Sequence, residues 1–263
     1  MGSATTQALA ATTAALDAAS GVDLDVAGEL FAAARAVGDS PQLSGALADS
    51  AASAEARLKV IADVFGAVLG PVALRLLTTA AEQRWSKPAD LVDGIEEVAI
   101  RAAVRAQPDA DIEGELFQFS RTVAGSPDLE LALGSRLGDD SGKAALVQRL
   151  LGGRASAAAT LVAASVIQRP GERRVRQVLS RAIGLAADQR GTAVATVYAA
   201  APLGTAQLDR LAAVLTQRYG TKVVLNFVLD PSVVGGLRVA IADDVIDASV
   251  SSRLADLRHR LAG

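Results

Sequence analysis

The chain has 263 residues, of which 51% are hydrophobic and only 3% aromatic, a balance that favours helices packed closely through alanine and leucine. A net charge of −3 excludes a broad basic surface for nucleic acid, and the lack of cysteine excludes disulfides, thiolate metal sites and cysteine nucleophiles. Every apolar run is interrupted by charge, glycine or proline before it reaches the ~20 residues that a bilayer requires, so no membrane span is predicted.

Apolar residues recur at helical spacing through the first 190 residues. The predicted helices of the first part span 4–19, 24–37, 41–50, 54–66, 71–85 and 88–106. Those of the second part span 112–124, 127–136, 140–151, 155–168 and 171–188. Two Ser-Pro pairs, Ser40-Pro41 and Ser126-Pro127, are typical of an N-cap followed by proline at the first helical position, so each predicts the start of a helix.

Two stretches of this helical region are similar to each other. Residues 25–47 and 111–133, which are 86 positions apart, are identical at 12 of 23 positions. Unrelated stretches of ordinary composition would share about two. The similarity therefore predicts a duplicated helical unit.

The pattern changes after residue 191. Alternating β-branched residues predict strands at 192–198, 222–229 and 237–241, with a helix between the first two strands that ends at Gly220. A last helix is predicted over 250–261. The predicted fold is mainly α, with two consecutive helical bundles from the internal repeat and then a small α+β domain of order β-α-β-β-α. The predicted domains are 1–107, 108–190 and 191–263, and Gln107-Pro108-Asp109 is the predicted joint between the bundles.

The segment 228–254 carries the most specific pattern in the chain. Asp230-Pro231 predicts a break in strand pairing because proline has no N–H, and Gly235-Gly236 permits positive φ. Asp247 and Ser249 are suited to cap the last helix. Together with Arg253 and Leu254, these residues resemble the C-terminal signature of ATP synthase delta (OSCP-type) subunits, in the enlarged form of high-GC Gram-positive bacteria. Ala248 departs from the glycine that is common in that signature.

The resemblance implies a non-catalytic stator subunit of a proton-driven rotary ATP synthase, with no cofactor and no metal. The implied partners are the N-terminal helices of the alpha subunits in the catalytic head and the b-subunit helices of the peripheral stalk, with the beta subunit as a further candidate. Neither nucleic acid nor a direct membrane span is implied. The implied location is the cytoplasmic face of the bacterial cell membrane, and the second bundle is expected to lengthen or stiffen the link between head and stalk.

Two other classes of protein remain open from the residues alone. One is a helical adaptor unconnected with ATP synthase, and the other is an enzyme that uses Asp243, Asp244 and Asp247, although turn chemistry already accounts for these aspartates. A calcium loop at Asp109, Asp111 and Glu113 is disfavoured because Ser120 stands at its twelfth position. The remaining singled-out residues are expected to be structural: a core Trp85, a solvated His259, and a solvated helix face formed by Arg169, Arg173, Arg174 and Arg176.

Overall fold

The chain divides into two compact units, Met1–Ala186 and Ala187–Gly263. The structure, a computed structural model, describes residues 2–135, 139–171, 173–241 and 244–247. We refer to residues 1–107 as the first segment and to residues 108–190 as the second segment. Helices of both segments fall within the first unit, and the predicted division into separate domains near residue 107 stays a prediction.

Six helices form the first segment and five the second. The first six are α1 (Ser3–Ala18), α2 (Leu24–Asp39), α3 (Pro41–Ala48), α4 (Ala54–Phe65), α5 (Pro71–Glu82) and α6 (Pro88–Ala106). The next five are α7 (Ile112–Ala124), α8 (Pro127–Gly134), α9 (Asp140–Leu151), α10 (Ala157–Gln168) and α11 (Val175–Gln189). Over the described ranges, none of the helices is long and apolar enough to cross a bilayer.

The Ser-Pro pairs begin helices as predicted. The Ser40 hydroxyl accepts a hydrogen bond from the Leu43 backbone N–H at 3.2 Å, and the Ser126 hydroxyl accepts one from the Leu129 N–H at 3.3 Å. Each bond satisfies one of the N–H groups that a helix start leaves without a partner, while the proline lacks the N–H that would otherwise need one.

The described residues of the second unit form a four-stranded mixed sheet and one helix. The elements are β1 (Thr192–Ala199), α12 (Thr205–Tyr219), β2 (Lys222–Leu229), β3 (Arg238–Ile241) and β4 (Asp244–Asp247), and the strand order is β2-β1-β3-β4. β1 and β2 are parallel, with α12 as their crossover, whereas β1-β3 and β3-β4 are antiparallel. A mainly helical chain that ends in a small α+β region is thus confirmed.

One face of the sheet forms the core of this unit with α12. Its buried residues come from every second position of the strands and from Leu215 of α12, and they are Ala195, Val197, Val223, Val239 and Ile241. This is the period-2 burial expected of a strand with one face against a helix. Gly220 ends α12 with φ of 70°, a left-handed conformation that glycine adopts at low cost.

Two expectations for this unit were incomplete. Asp244 and Asp247 were expected in a turn, but they are the first and last residues of β4, where Asp247 pairs with Arg238. The short DVID sequence of β4 carries only two β-branched residues, which is too little for the alternating pattern to stand out. In addition, β2 and β3 follow each other in the chain but are separated in the sheet by β1. The predicted helix over 250–261 lies outside the described residues.

Candidate interaction surfaces

A groove of about 270 Å³ lies between α1 and α5. The α1 residues that line the groove have short side chains, and the α5 residues that line it include the exposed Arg75. The groove is lined by Ala15, Ala18, Ala19, Ser20, Val72, Arg75, Leu76 and Thr79. Short side chains leave room for the backbone of another helix to come close, so this surface has the form of a helix-binding groove.

A helix of the second segment, α10, is more fully buried than α5. α10 lies 86 positions after α5 and has the same length. Five buried positions correspond in the two helices, and α10 buries three more, Ala158, Ala164 and Ser165. The matching residues of α5 are partly exposed: Val72, Thr78 and Thr79. Two of those three line the α1–α5 groove, so the corresponding face of α10 is closed.

α10 packs against α6 and also against α2. Just after α10, the Arg169 guanidinium donates a hydrogen bond to the Gly38 backbone carbonyl at 2.5 Å and pairs with the Asp39 carboxylate at 2.9 Å. A Cβ added to Gly38 would lie 2.3 Å from the carbon of that guanidinium, so the contact requires glycine. The C-terminal end of α2 is therefore fixed to the end of α10.

A charged network joins α11 to α6. Arg181 on α11 donates to the Glu96 carboxylate at 2.7 Å and to the Asp93 backbone carbonyl at 3.0 Å, and Arg173 pairs with the Asp93 carboxylate. Burial raises the pKa of the Glu96 carboxyl above its ordinary value, while the neighbouring Arg181 acts in the opposite direction. The Arg181–Glu96 pair is partly shielded from water, so removal of one partner would leave the other charge without compensation.

The basic run of the second segment was expected as a solvated helix face, and the structure corrects this. Arg169, Arg173 and Arg174 precede α11 in the chain instead of lying on a helix. Arg169, Arg173 and Arg176 form ion pairs, with Asp39, Asp93 and Glu130 respectively. The sequence pattern could not reveal these partners because the two acids of α2 and α6 are distant in the chain.

In the second unit, the Asp230 carboxylate organises the turn that follows β2. It accepts hydrogen bonds from the Ser232 backbone N–H at 3.0 Å and from the Ser232 hydroxyl at 2.6 Å. The Asp230 backbone N–H donates to the Ala199 carbonyl at 2.9 Å, and Arg238 lies 3.7 Å from the carboxylate and over the Tyr198 ring. Asp230 therefore closes the turn against the ends of β1 and β3.

The other signature residues fall into two groups. Pro231 follows the end of β2, and Gly235 and Gly236 have φ of 63° and 80°, the left-handed values that their sequence permits. Asp247 is exposed at the end of β4. Ser249, Arg253 and Leu254 lie outside the described residues. Assignment of all these residues to a partner interface stays a prediction.

The residues singled out for other chemistry have structural positions. Trp85 is only 5% exposed and its indole N–H donates to the Ala80 carbonyl at 2.8 Å, so its predicted place in the core is confirmed. The Asp111 carboxylate caps α7 by accepting from the Gly114 N–H. Asp244 accepts from the Tyr219 hydroxyl at 3.0 Å. Asp243 and His259 are outside the described part of the chain, within which no cluster of acidic or histidine side chains could hold a metal ion.

The groove between α1 and α5 was not predicted. Alanine occurs on every side of α1, so hydrophobicity alone does not separate its buried face from the face that lines the groove. The only signal was a difference between two helices that lie 86 positions apart. α5 carries Arg75 and Thr79 where α10 carries Leu161 and Ser165. Such a difference indicates that one of two related helices is exposed and the other is covered.

Comparison with known proteins assigns the chain to a family. The family described as "ATP synthase delta (OSCP) subunit" matches residues 97–261. "ATP synthase subunit delta" of Leifsonia xyli is 46% identical over all of both chains, and that of Streptomyces avermitilis is 38% identical over 98% of both. A chain in the cryo-EM structure of the Toxoplasma gondii mitochondrial ATP synthase hexamer aligns with 64% of this chain and 97% of its own length, at a TM-score of 0.38 and 15% identity. From the family match and the full-length relatives, the chain belongs to the ATP synthase delta (OSCP) subunit family.

Proposed function

We propose that this chain is a non-catalytic stator subunit of a proton-driven rotary ATP synthase, which links the alpha/beta head to the b-subunit peripheral stalk and resists rotor torque. Membership in the delta (OSCP) family over the full length supports this role. The closely packed helices suit it, because close-packed interiors deform little under force. The chain would act as a peripheral protein at the cytoplasmic face of the bacterial membrane.

The observation that carries the proposal is the open groove between α1 and α5. Its small residues and its mixed apolar and basic lining suit an amphipathic helix, whose apolar side would be buried while its charged side stays in water. The expected occupant is an N-terminal helix of an alpha subunit of the head. Apolar burial at about 25 cal/mol per Å² would supply most of the affinity.

The groove also indicates which segment meets the head. The family match begins at residue 97, so the second segment corresponds to the bundle that ordinary family members possess. In this chain α10 buries Ala158, Ala164 and Ser165, whereas the residues of α5 that lie 86 positions earlier are partly exposed. We therefore assign head binding to the first segment. The first segment, and not the second as expected above, would then lengthen the link between head and stalk.

We also propose that the two segments arose by duplication of one helical unit. Two partly buried contacts support this. The Glu29 carboxylate accepts from the Gly70 backbone N–H, at the start of α5, at 2.9 Å. The Glu115 carboxylate accepts from the Ser156 N–H, at the start of α10, at 2.9 Å. Both residues of the second pair stand 86 positions after those of the first.

The second unit is the proposed contact for the b-subunit helices of the stalk. It contains three exposed large apolar residues on or next to strands, Leu229, Val234 and Val245. Val234 precedes the Gly235-Gly236 pair, so one of these exposed residues lies within the family signature. The beta subunit is a further candidate for contact at the head.

Addition of the purified chain to membranes stripped of it tests the function and the groove together. The unmodified chain should restore seating of the head and proton-driven ATP synthesis. Ala18→Arg places a long charged side chain in the groove at an exposed position, so it should weaken head binding by roughly tenfold or more without unfolding the chain. Head binding is measured by sedimentation with the membranes, and coupling by ATP synthesis.

Ala10→Arg is the matched control, since Ala10 is exposed on α1 but does not line the groove. It should restore coupling as well as the unmodified chain does. If stripped membranes retain a seated head and full coupling, the stator role is wrong. If coupling is restored equally by Ala18→Arg and Ala10→Arg, the stator role stands but the groove is not the head site. A helical adaptor unconnected with ATP synthase would restore nothing.

A further inference from the structure

We infer that α6 belongs to both helical segments at once, so that the first unit is one continuous body with no hinge at 107–109. The first indication is the spacing of the repeat. α1 spans residues 3–18, and the same positions shifted by 86 are 89–104, which lie inside α6 at 88–106. α6 is thus the last helix of the first segment and also stands where the second segment requires its first helix.

The neighbours of α6 agree with this double position. α1 packs against α5 in the first segment, and α6 packs against α10, the equivalent of α5, in the second. α6 also packs against α2, α3 and α5 of its own segment. One helix therefore closes two sets of neighbours.

Burial of α6 shows the same double role. α1 buries a single stripe of four residues, as expected of a helix at the edge of a bundle: Thr5, Ala8, Thr12 and Leu16. α6 buries eleven residues, including Leu91, Val92, Ile95, Val98, Ala99, Ile100, Ala102 and Ala103. Four consecutive helical residues point to four different sides, so burial of 97–100 means that α6 is enclosed all round.

The C-terminal end of α6 contacts both segments. The Arg105 guanidinium donates to the backbone carbonyls of Leu16 and Ala19, at the C-terminal end of α1. Two residues later, the Gln107 side-chain carbonyl accepts from the Ala158 backbone N–H at 2.7 Å, at the start of α10. Gln107-Pro108-Asp109 was predicted as the joint between the two bundles, yet Gln107 satisfies a helix start in the second segment while Arg105 satisfies a helix end in the first.

Contacts at two further places oppose hinge motion. Arg181 of α11 is fixed to Glu96 and to the Asp93 carbonyl in the middle of α6, and Arg169 is fixed to the end of α2. A rotation of the second segment about residue 107 would break all of these contacts together. It would also separate α10 from α2, against which it packs, and that costs burial.

Two spin labels on the full-length chain test the inference. Ala62 on α4 and Gln148 on α9 are exposed and occupy equivalent positions, 86 residues apart, and the chain has no native cysteine. Ala62→Cys and Gln148→Cys therefore allow specific labelling. Pulsed electron spin resonance should give one narrow distance distribution between them. The reference is the pair Ala10→Cys and Ala62→Cys, both of whose positions lie in the first segment.

A 62–148 distribution as narrow as the 10–62 reference supports the shared helix. A distribution with two maxima, or one about twice as broad as the reference or more, would overturn it, because two bodies connected at 107–109 would sample a range of angles. The experiment uses the isolated chain, so it does not depend on the stator role. Failure of that role would leave this result unchanged.

Discussion

Trp85 and Gly94 illustrate how strictly single residues are fixed in the first unit. Trp85 is buried, and a Cβ built on Gly94 of α6 would lie 2.2 Å from its ring. Such a separation is far below any normal contact, so the indole lies directly over the backbone of α6. The glycine in this helix is required by packing, because glycine is otherwise a poor helix former.

Gly94→Ala should therefore destabilise the first unit. Overpacking a well-packed core costs about 1–3 kcal/mol, which exceeds the gain of up to about 1 kcal/mol from the better helix propensity of alanine. Urea unfolding followed by the fluorescence of Trp85, the single tryptophan of the chain, measures the change. Gly28→Ala in α2 is the control, since no atom lies within 4 Å of its added Cβ. It should stabilise by about 0.5–1 kcal/mol. Equal effects of the two changes would contradict the packing argument.

Residues were predictable from the sequence where their partners are near in the chain. Ser40 and Ser126 follow from local capping rules, and they bond three residues ahead. Arg169 and Arg173 bond to residues that are 130 and 80 positions away, which no local pattern indicates. A structural place for Trp85 was expected from the sequence, but its position over Gly94 depends on the fold.

At the scale of helices, the two glutamates at equivalent positions have the same role. The Gly70 N–H, at the start of α5, donates to the Glu29 carboxylate. The Glu115 carboxylate accepts from both the N–H and the hydroxyl of Ser156, the latter at 2.5 Å. Each glutamate thus ties its own helix, α2 or α7, to the start of another helix 41 residues further on.

Glu29→Ala and Glu115→Ala should each lower the free energy of unfolding of the first unit by about 1–2 kcal/mol, because each leaves a partly buried donor without its acceptor. Thermal or urea unfolding measures both. Glu82→Ala removes an exposed carboxylate at the end of α5 and should change stability by less than about 0.5 kcal/mol. Loss of stability in only one of the two variants would show that the contacts are not equivalent.

The helices were more predictable than the sheet. Helix starts agree with the prediction within a few residues because serine, aspartate and proline act locally at these positions. The short β4 was missed, and so was the separation of β2 from β3 by β1, since strand order depends on contacts distant in the chain. The groove between α1 and α5 could not be predicted either, because in an alanine-rich chain covered and open helix faces have nearly the same composition.

At the scale of the whole molecule, a shared α6 has a consequence for cooperativity. If the first unit is one body, α4 in the first segment and α10 in the second should unfold together. Two independent bundles would instead open separately, each with its own stability.

Ile61→Ala distinguishes these cases. Ile61 is 1% exposed in α4, and such a change costs about 2–5 kcal/mol. Amide hydrogen exchange should then speed up in α10 as well as in α4, by similar factors. Val68→Ala is the control, since Val68 is 69% exposed, and it should leave exchange in both helices nearly unchanged. Faster exchange in α4 with unaltered exchange in α10 would mean that the segments unfold independently.

The overlap of the two segments at α6 also limits how such a chain can evolve in length. A second copy that reuses the final helix of the first adds five helices, not six, and 86 residues. The length of the helical region should therefore change in steps of one whole repeat. An insertion of any other size within the shared helix would rotate one set of neighbours against the other by 100° per added residue. Viable length variants of this protein should accordingly differ by multiples of one repeat or carry their insertions in loops.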